Sequence, residues 1–172
     1  MGEIKSTLDI IMEKTKNLTM TEEEKKDLRR RELAEKVKGW VQKYIDNRIN
    51  QKNLKSELKK EGQDNYSMLQ ELLKIELVES LQMDDDNVKI FELMKDILNI
   101  KKDPFVNIIK DFQKEAAFEK PKRLEAIKKV LTKRGVFGSA VIPNLTLDEN
   151  WDAYYKELEA EYKKRLHSIT DN

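Results

Sequence analysis

Side chains able to carry familiar acid–base, nucleophilic or metal chemistry are scarce in this chain: it has no cysteine and one histidine, His167, in 172 residues. Without thiols there is no disulfide, no thiolate nucleophile and no sulfur ligand. A histidine acting as general base needs a positioned partner and a pocket. His167 falls in or just after the last turn of a helical pattern, where an imidazole gains from the negative end of the helix dipole. It reads as a solvent-facing residue.

Carboxylates are the remaining candidates. Asp84-Asp85-Asp86 could offer oxygen ligands to Ca²⁺ or Mg²⁺, but a calcium loop alternates its ligands, places Gly at the sixth position and closes on Glu. Asn87-Val88-Lys89 breaks that order, so the triplet reads as a turn and helix cap. Glu76 with Glu79, and Glu157 with Glu161, have helical spacing. A dimetal bundle site would need a Glu-x-x-His motif on two helices, and the chain has none. No catalytic, metal or cofactor residue is assigned. An enzyme working through lysines and carboxylates around residues 135–145 is the least favoured reading.

Cations form two segments. Arg29-Arg30-Arg31, with Lys25, Lys26, Lys36 and Lys38, precedes Trp40 and Tyr44, but Glu22 to Glu24, Asp27, Glu32 and Glu35 interleave as helical neighbours. Such pairs are ordinary surface salt bridges. The second segment, residues 120–134, is purer and includes Lys122, Arg123, Lys129, Lys133 and Arg134 as candidate phosphate contacts. Net charge is +1 overall, which gives no global pull toward nucleic acid or acidic lipid. It is distributed in blocks: residues 63–100 carry 3 basic and 9 acidic side chains, residues 101–135 carry 11 and 5. Alternating blocks can complement one another within a chain or between copies.

The elements that must hold these groups are helical. Hydrophobic residues make up 38% and charged residues 39%, against roughly 45–50% and 25% in an ordinary soluble domain. That ratio suits thin helices with wide solvated faces. Ile4, Leu8, Ile11 and Met12 outline a short helix over residues 3–16. Thr21-Glu22-Glu23-Glu24 is a capping box that opens a long helix over 22–47, on the order of 39 Å at about 1.5 Å per residue. Leu28, Leu33, Ala34, Val37, Trp40, Val41, Tyr44 and Ile45 form its apolar stripe. Leu54 and Leu58 mark a short helix stopped by Gly62, and Asp64 or Asn65 caps the next.

Residues 66–82 are apolar in nearly every direction, the mark of a central bundle helix. Further helices are expected over 87–100, from the Asp103-Pro104 start signal to Pro121, and from Pro121 to Lys133-Arg134-Gly135. Proline has no N–H to donate and crowds the preceding turn, so Pro121 should separate two helices. Residues 136–145 form the one non-helical apolar stretch, expected to pack Phe137, Val141 and Ile142 under the last helix. Gly138-Ser139 and the preceding Lys133 and Arg134 also make it a candidate cradle for an anion or a partner. A second capping box, Thr146 to Glu149, launches a final helix with Trp151, Tyr154, Tyr155, Leu158, Tyr162 and Leu166 at its buried face.

The expected protein is therefore all-α: an N-terminal helical arm over 1–62 and a bundle of about five helices over 63–172. No run approaches the roughly 18 apolar residues of a membrane span, the first residues lack a secretory pattern, and the chain reads as cytoplasmic. Lysine far outnumbers arginine, which suggests an AT-rich bacterial genome. The favoured function is non-enzymatic protein–protein interaction or scaffolding, including self-association into a homo-oligomer along Val37, Trp40, Val41, Tyr44 and Ile45. The alternative is a nucleic-acid-associated protein using residues 120–134.

Overall fold

A computed structural model of the chain describes residues 20–61 and 66–170. These form six α-helices, one short 3₁₀ turn and no strand among the described residues, an all-α bundle. The helices are α1 (Glu22–Ile45), α2 (Gln51–Glu61), α3 (Tyr66–Glu79), α4 (Val88–Leu98), α5 (Asp103–Lys133) and α6 (Glu149–Thr170). The expected helix over 3–16, the Gly62 stop and the Asp64 or Asn65 cap lie outside the described residues.

α1 begins where its capping box requires. The Glu24 amide donates to Thr21 Oγ1 at 3.2 Å, and the Thr21 amide donates to Glu24 Oε2 at 2.8 Å. Each bond satisfies an amide that the first turn leaves without a helical partner. The helix ends at Asp46 and Asn47, the latter at φ 59°. Asn50 then accepts from the Asn53 amide at 2.8 Å and starts α2.

The centre of the fold is α3, which touches α1, α2, α4 and α6. Leu69, Leu72, Leu73, Leu77 and Val78 are all buried, as a helix apolar most of the way round must be. α1 lies along it and closes one side of a single core with Leu33, Val37 and Val41. Arg30 clasps Glu71 of α3 at 2.7 Å and Lys36 clasps Glu61 of α2 at 2.5 Å. These are partly exposed pairs, so packing rather than charge holds α1 in place.

The turn from α3 to α4 is built around Asn87, the one buried polar side chain among the described residues. Its side-chain oxygen accepts from the Gln82 amide at 2.8 Å, and its amide donates to the carbonyls of Gln82 and Asp85 at 2.7 and 2.9 Å. With φ at 56°, Asn87 adopts the left-handed conformation that asparagine tolerates best among residues with a side chain. The cap expected from this segment takes another form: Asn87 plugs the loop, and Asp86 accepts from the Val88 amide at 3.2 Å. α4 ends on Asn99, also left-handed, whose amide returns to the Lys95 carbonyl at 3.1 Å in an αL closure, while the Ile100 amide reaches the Met94 carbonyl at 3.0 Å.

Two helix boundaries differ from expectation. α5 runs unbroken from Asp103 to Lys133 with Pro121 inside it, so four helices rather than five follow residue 63. Phe105, Ile109, Phe112, Ala116, Leu124, Ile127 and Leu131 continue one apolar face past the proline, and that face lies on α6. Pro121 and Ala117, whose carbonyl loses its helical donor, are both exposed, so water can serve that carbonyl. The start of α6 also shifts. Asn144 Oδ1 accepts from the Thr146 amide and hydroxyl, drawing Leu145–Leu147 into a 3₁₀ turn. The cap passes from Thr146 to Asp148, which accepts from the Trp151 amide at 2.7 Å.

Candidate interaction surface

α5 and α6 form an antiparallel helical hairpin. Near the core it is tightly built: the Phe112 ring meets Tyr155 and Tyr162 edge-on at centroid distances of 5.3 and 5.6 Å. The Tyr162 hydroxyl donates to Glu115 at 2.8 Å, and the Tyr155 hydroxyl donates to Asp84. Burial, reinforced by those carboxylates, pushes both phenols above their ordinary range. The aromatic stripe is thus packing material with satisfied hydroxyls, worth about 0.5–1.5 kcal/mol per ring pair beyond area.

Away from the core the hairpin thins into a limb. No residue of α5 beyond Phe112 is fully buried, although Leu124, Ile127 and Leu131 are half-covered. The helix stops at Gly135, whose φ of 80° is left-handed, with the Val136 amide returning to the Leu131 carbonyl at 3.0 Å. The loop that follows is anchored at one end only, by buried Pro143 and Leu145. The expectation that it packs Phe137, Val141 and Ile142 beneath α6 holds for none of them fully. Val141 is half-covered, while Phe137 is 75% and Ile142 88% exposed. Leu147, on the 3₁₀ turn, is 81% exposed, and Val130 near the end of α5 and Val136 at the start of the loop are exposed too.

The basic candidates lie on the same limb in two groups. Lys122 pairs with Glu119 at 2.9 Å and sits 4.0 Å above the ring of exposed Phe118. Arg123 lies 3.3 Å from Glu119 without hydrogen-bond alignment and near the face of Tyr154. The two cations, Lys122 foremost, hold the Glu119 carboxyl below its ordinary range. Lys129 pairs with Glu125 at 3.1 Å. Lys133 and Arg134, by contrast, have no side-chain ion pair among the described residues and sit directly before the apolar loop.

The stripe expected to mediate self-association is occupied within the chain. Val37 and Val41 are each 1% exposed, and Trp40, Tyr44 and Ile45 are half-buried against the same core. A thin stripe on a long helix found its cover in α3, which the spacing alone could not reveal. His167 is not a free surface imidazole: its Nε2 lies 2.9 Å from Glu79 and ties the end of α6 to the end of α3. Glu76, on α3 before Glu79, is half-buried; desolvation raises its pKa against the opposing pull of Lys38.

A second feature had no signature in the sequence. Where α4 and α5 diverge, an open groove of about 970 Å³ has an apolar floor that includes Val88, Phe91, Val106 and Ile109. Its lining mixes charges: Asp84, Asp85, Asp86, Glu92 and Asp103 with Lys95, Lys101, Lys102 and Lys110. Among the described residues no three of His, Cys, Asp or Glu converge to hold a metal ion, and no helix is long and apolar enough to cross a membrane. Comparison with protein-family models, curated proteins and solved structures finds nothing that matches this chain.

Proposed function

We propose that this is a non-enzymatic cytoplasmic interaction or scaffolding protein that docks on another protein through the tip of its α5–α6 limb. The observation that carries this reading is the exposure of Phe137, Ile142 and Leu147 on a loop whose neighbours Pro143 and Leu145 are buried. Single exposed apolar residues need no explanation, but several within one short connection between two helices point to an interaction site. Burying one such side chain is worth about 1.5–3 kcal/mol, and a few of them can form the anchor cluster of an interface. Lys133 and Arg134 would supply the polar rim.

A photocrosslinking side chain placed at position 142 should give protein adducts in the living cell, and one at exposed Ala160 on α6 should not. Equal or absent yields at the two positions would dismiss the docking role.

The nucleic-acid reading keeps one specific support: exposed Phe118 lies beneath Lys122, and exposed Phe137 follows Lys133 and Arg134 in the chain, a combination that suits stacking on a single strand. Binding of a single-stranded RNA oligonucleotide that falls steeply with salt and fails in Lys133→Glu/Arg134→Glu would favour it. Pairing of Lys122, Arg123 and Lys129 with carboxylates on their own helix weighs the other way.

A further inference from the structure

Resting on the docking role proposed above, we infer that the partner met by the limb tip is an acidic protein segment, with carboxylates set beside apolar side chains. Charge left unbalanced at this end of the molecule selects that partner. Between residues 120 and 147 the chain has seven cations and one carboxylate, Glu125. A solvated helix face ordinarily balances its charges with neighbours three or four residues away. Here only part of them is balanced.

Lys122 and Arg123 share Glu119, and Lys129 holds Glu125. Lys120, Lys128, Lys133 and Arg134 are exposed and have no ion pair among the described residues. At the start of α6 the carboxylates are mostly spent: Asp148 accepts from the Trp151 amide at 2.7 Å, and Asp152 pairs with Lys156 at 2.7 Å. Of these three acids only Glu149 has no partner among the described residues. Four free cations thus stand against one free carboxylate, and Lys133 and Arg134 directly precede the loop that exposes Phe137 and Ile142.

Nucleic acid, an anionic lipid surface and an acidic protein segment all suit a cationic end, and the tip's other side chains choose among them. Nucleic-acid strands are gripped by stacking bases on aromatic faces, whereas Ile142 and Leu147, the two most exposed large apolar side chains, are aliphatic. An anionic lipid surface would attract the cations. It would also press Glu149, two residues beyond Leu147 in the chain, against charge of its own sign. A protein segment meets neither difficulty. Its carboxylates can face Lys133 and Arg134 in charge-assisted bonds, and its apolar side chains can cover Ile142 and Leu147.

The test pans a phage-displayed library of random peptides on the whole protein and, in parallel, on Lys133→Glu/Arg134→Glu. Both residues are exposed, so the variant keeps its core. The parent should enrich peptides in which Asp or Glu flanks Leu, Ile, Phe or Trp, and the variant should not. In fluorescence anisotropy, a labelled synthetic copy of an enriched peptide should bind the variant at least about tenfold more weakly, because opposed charges have been set alike. Ile142→Ser, at a side chain 88% exposed, should weaken it at least about 30-fold, the effect of losing a hot-spot side chain. Added salt should weaken the parent's binding as well, since it screens exposed charges.

Enriched peptides without an excess of acidic residues, or no enrichment at all, would overturn the acidic partner. So would binding that Lys133→Glu/Arg134→Glu leaves unchanged, or retention of the parent on phosphatidylserine vesicles that no enriched peptide displaces. Crosslinks from position 142 to proteins in the cell, with a yield unchanged in Lys133→Glu/Arg134→Glu, would leave the docking role standing and sink this partner. No crosslinks from position 142 would sink both.

Discussion

The core around α3 and the limb formed by α5 and α6 use the same kind of apolar side chain to opposite ends. In the core, a helix as charged as α1 still finds cover for Leu33, Val37 and Val41, because α3 offers apolar surface on every side. In the limb, only two helices and a 3₁₀ turn meet, and two helices can bury one face of each and no more. Phe118, Val130, Phe137, Ile142 and Leu147 consequently remain in solvent. Apolar character therefore does not decide burial here. The number of neighbouring elements does.

The sharpest way to break this contrast is a pair of truncations. Leu77→Ala, at a fully buried site on α3, should cost about 3 kcal/mol through lost transfer energy and a residual cavity. Ile142→Ala should change stability by less than about 0.5 kcal/mol, as for exposed sites generally. Urea unfolding followed by circular dichroism measures both, and similar losses at the two positions would erase the distinction.

Asn87→Ala comes next in size. It removes a buried amide that closes the α3–α4 turn with three hydrogen bonds and holds a positive φ. The backbone groups of Gln82 and Asp85 lose their partners, and a cost of about 1–3 kcal/mol is expected in the same unfolding assay. The limb supplies the opposite sign. Pro121→Ala should restore a helical bond to the Ala117 carbonyl and stabilise the protein. A gain of about 1–2 kcal/mol remains after allowing for the extra freedom of the unfolded chain. No gain in unfolding midpoint would mean that the surroundings have fully accommodated the proline.

The smallest effects are electrostatic and differ in direction with pH. The hydrogen bond from Arg30, the foremost cause, holds the Glu71 carboxyl below its ordinary range. Its contribution is thus fully present above the unfolded pKa and disappears as pH falls through the lower folded value. Glu71→Gln should remove that acid-side loss, an exposed pair worth at most about 1 kcal/mol. Burial raises Glu76, so ionising it opposes folding as pH rises from the ordinary carboxylate range through its higher folded value. Glu76→Gln should raise the neutral-pH unfolding midpoint and leave the midpoint at low pH unchanged. Unfolding midpoints measured across pH 3–7, about the span in which carboxylates titrate, would show whether the two variants diverge in this way.

Much of the helical framework is legible in the chain because its signals are local. The Thr21 capping box, the all-round apolar run of α3 and the Gly135 stop depend on residues within a turn of each other. What escapes is set by distant neighbours or by competition between local signals. Pro121 breaks an isolated helix, but a face continuing to Leu131 against α6 overrides it. Thr146 is a good cap until Asn144 takes its amide and passes the role to Asp148.

The candidate site was legible in part. Residues 136–145 stand out as the one apolar stretch without helical period, and Lys133 and Arg134 as its cationic lead. Whether Ile142 points inward or outward has no code in the sequence, because it turns on which of several apolar loop residues the 3₁₀ turn anchors. Pro143 and Leu145 took that place. The Val37 to Ile45 stripe reads equally well as an interface or as core until α3 is in view. The groove between α4 and α5 brings together residues from 84–95 and 99–113, and its concavity comes from the divergence of two helices, which no spacing records.

The central claim is that the limb tip serves contact with another molecule and the α3-centred core serves the fold. Ile142→Asp tests it most directly when the urea midpoint is measured together with the yield of protein adducts from a photocrosslinking side chain placed at exposed Phe137. The account predicts an unchanged midpoint together with loss of the adducts that the parent sequence gives. A clearly lowered midpoint, or an adduct yield identical to the parent's, would contradict it.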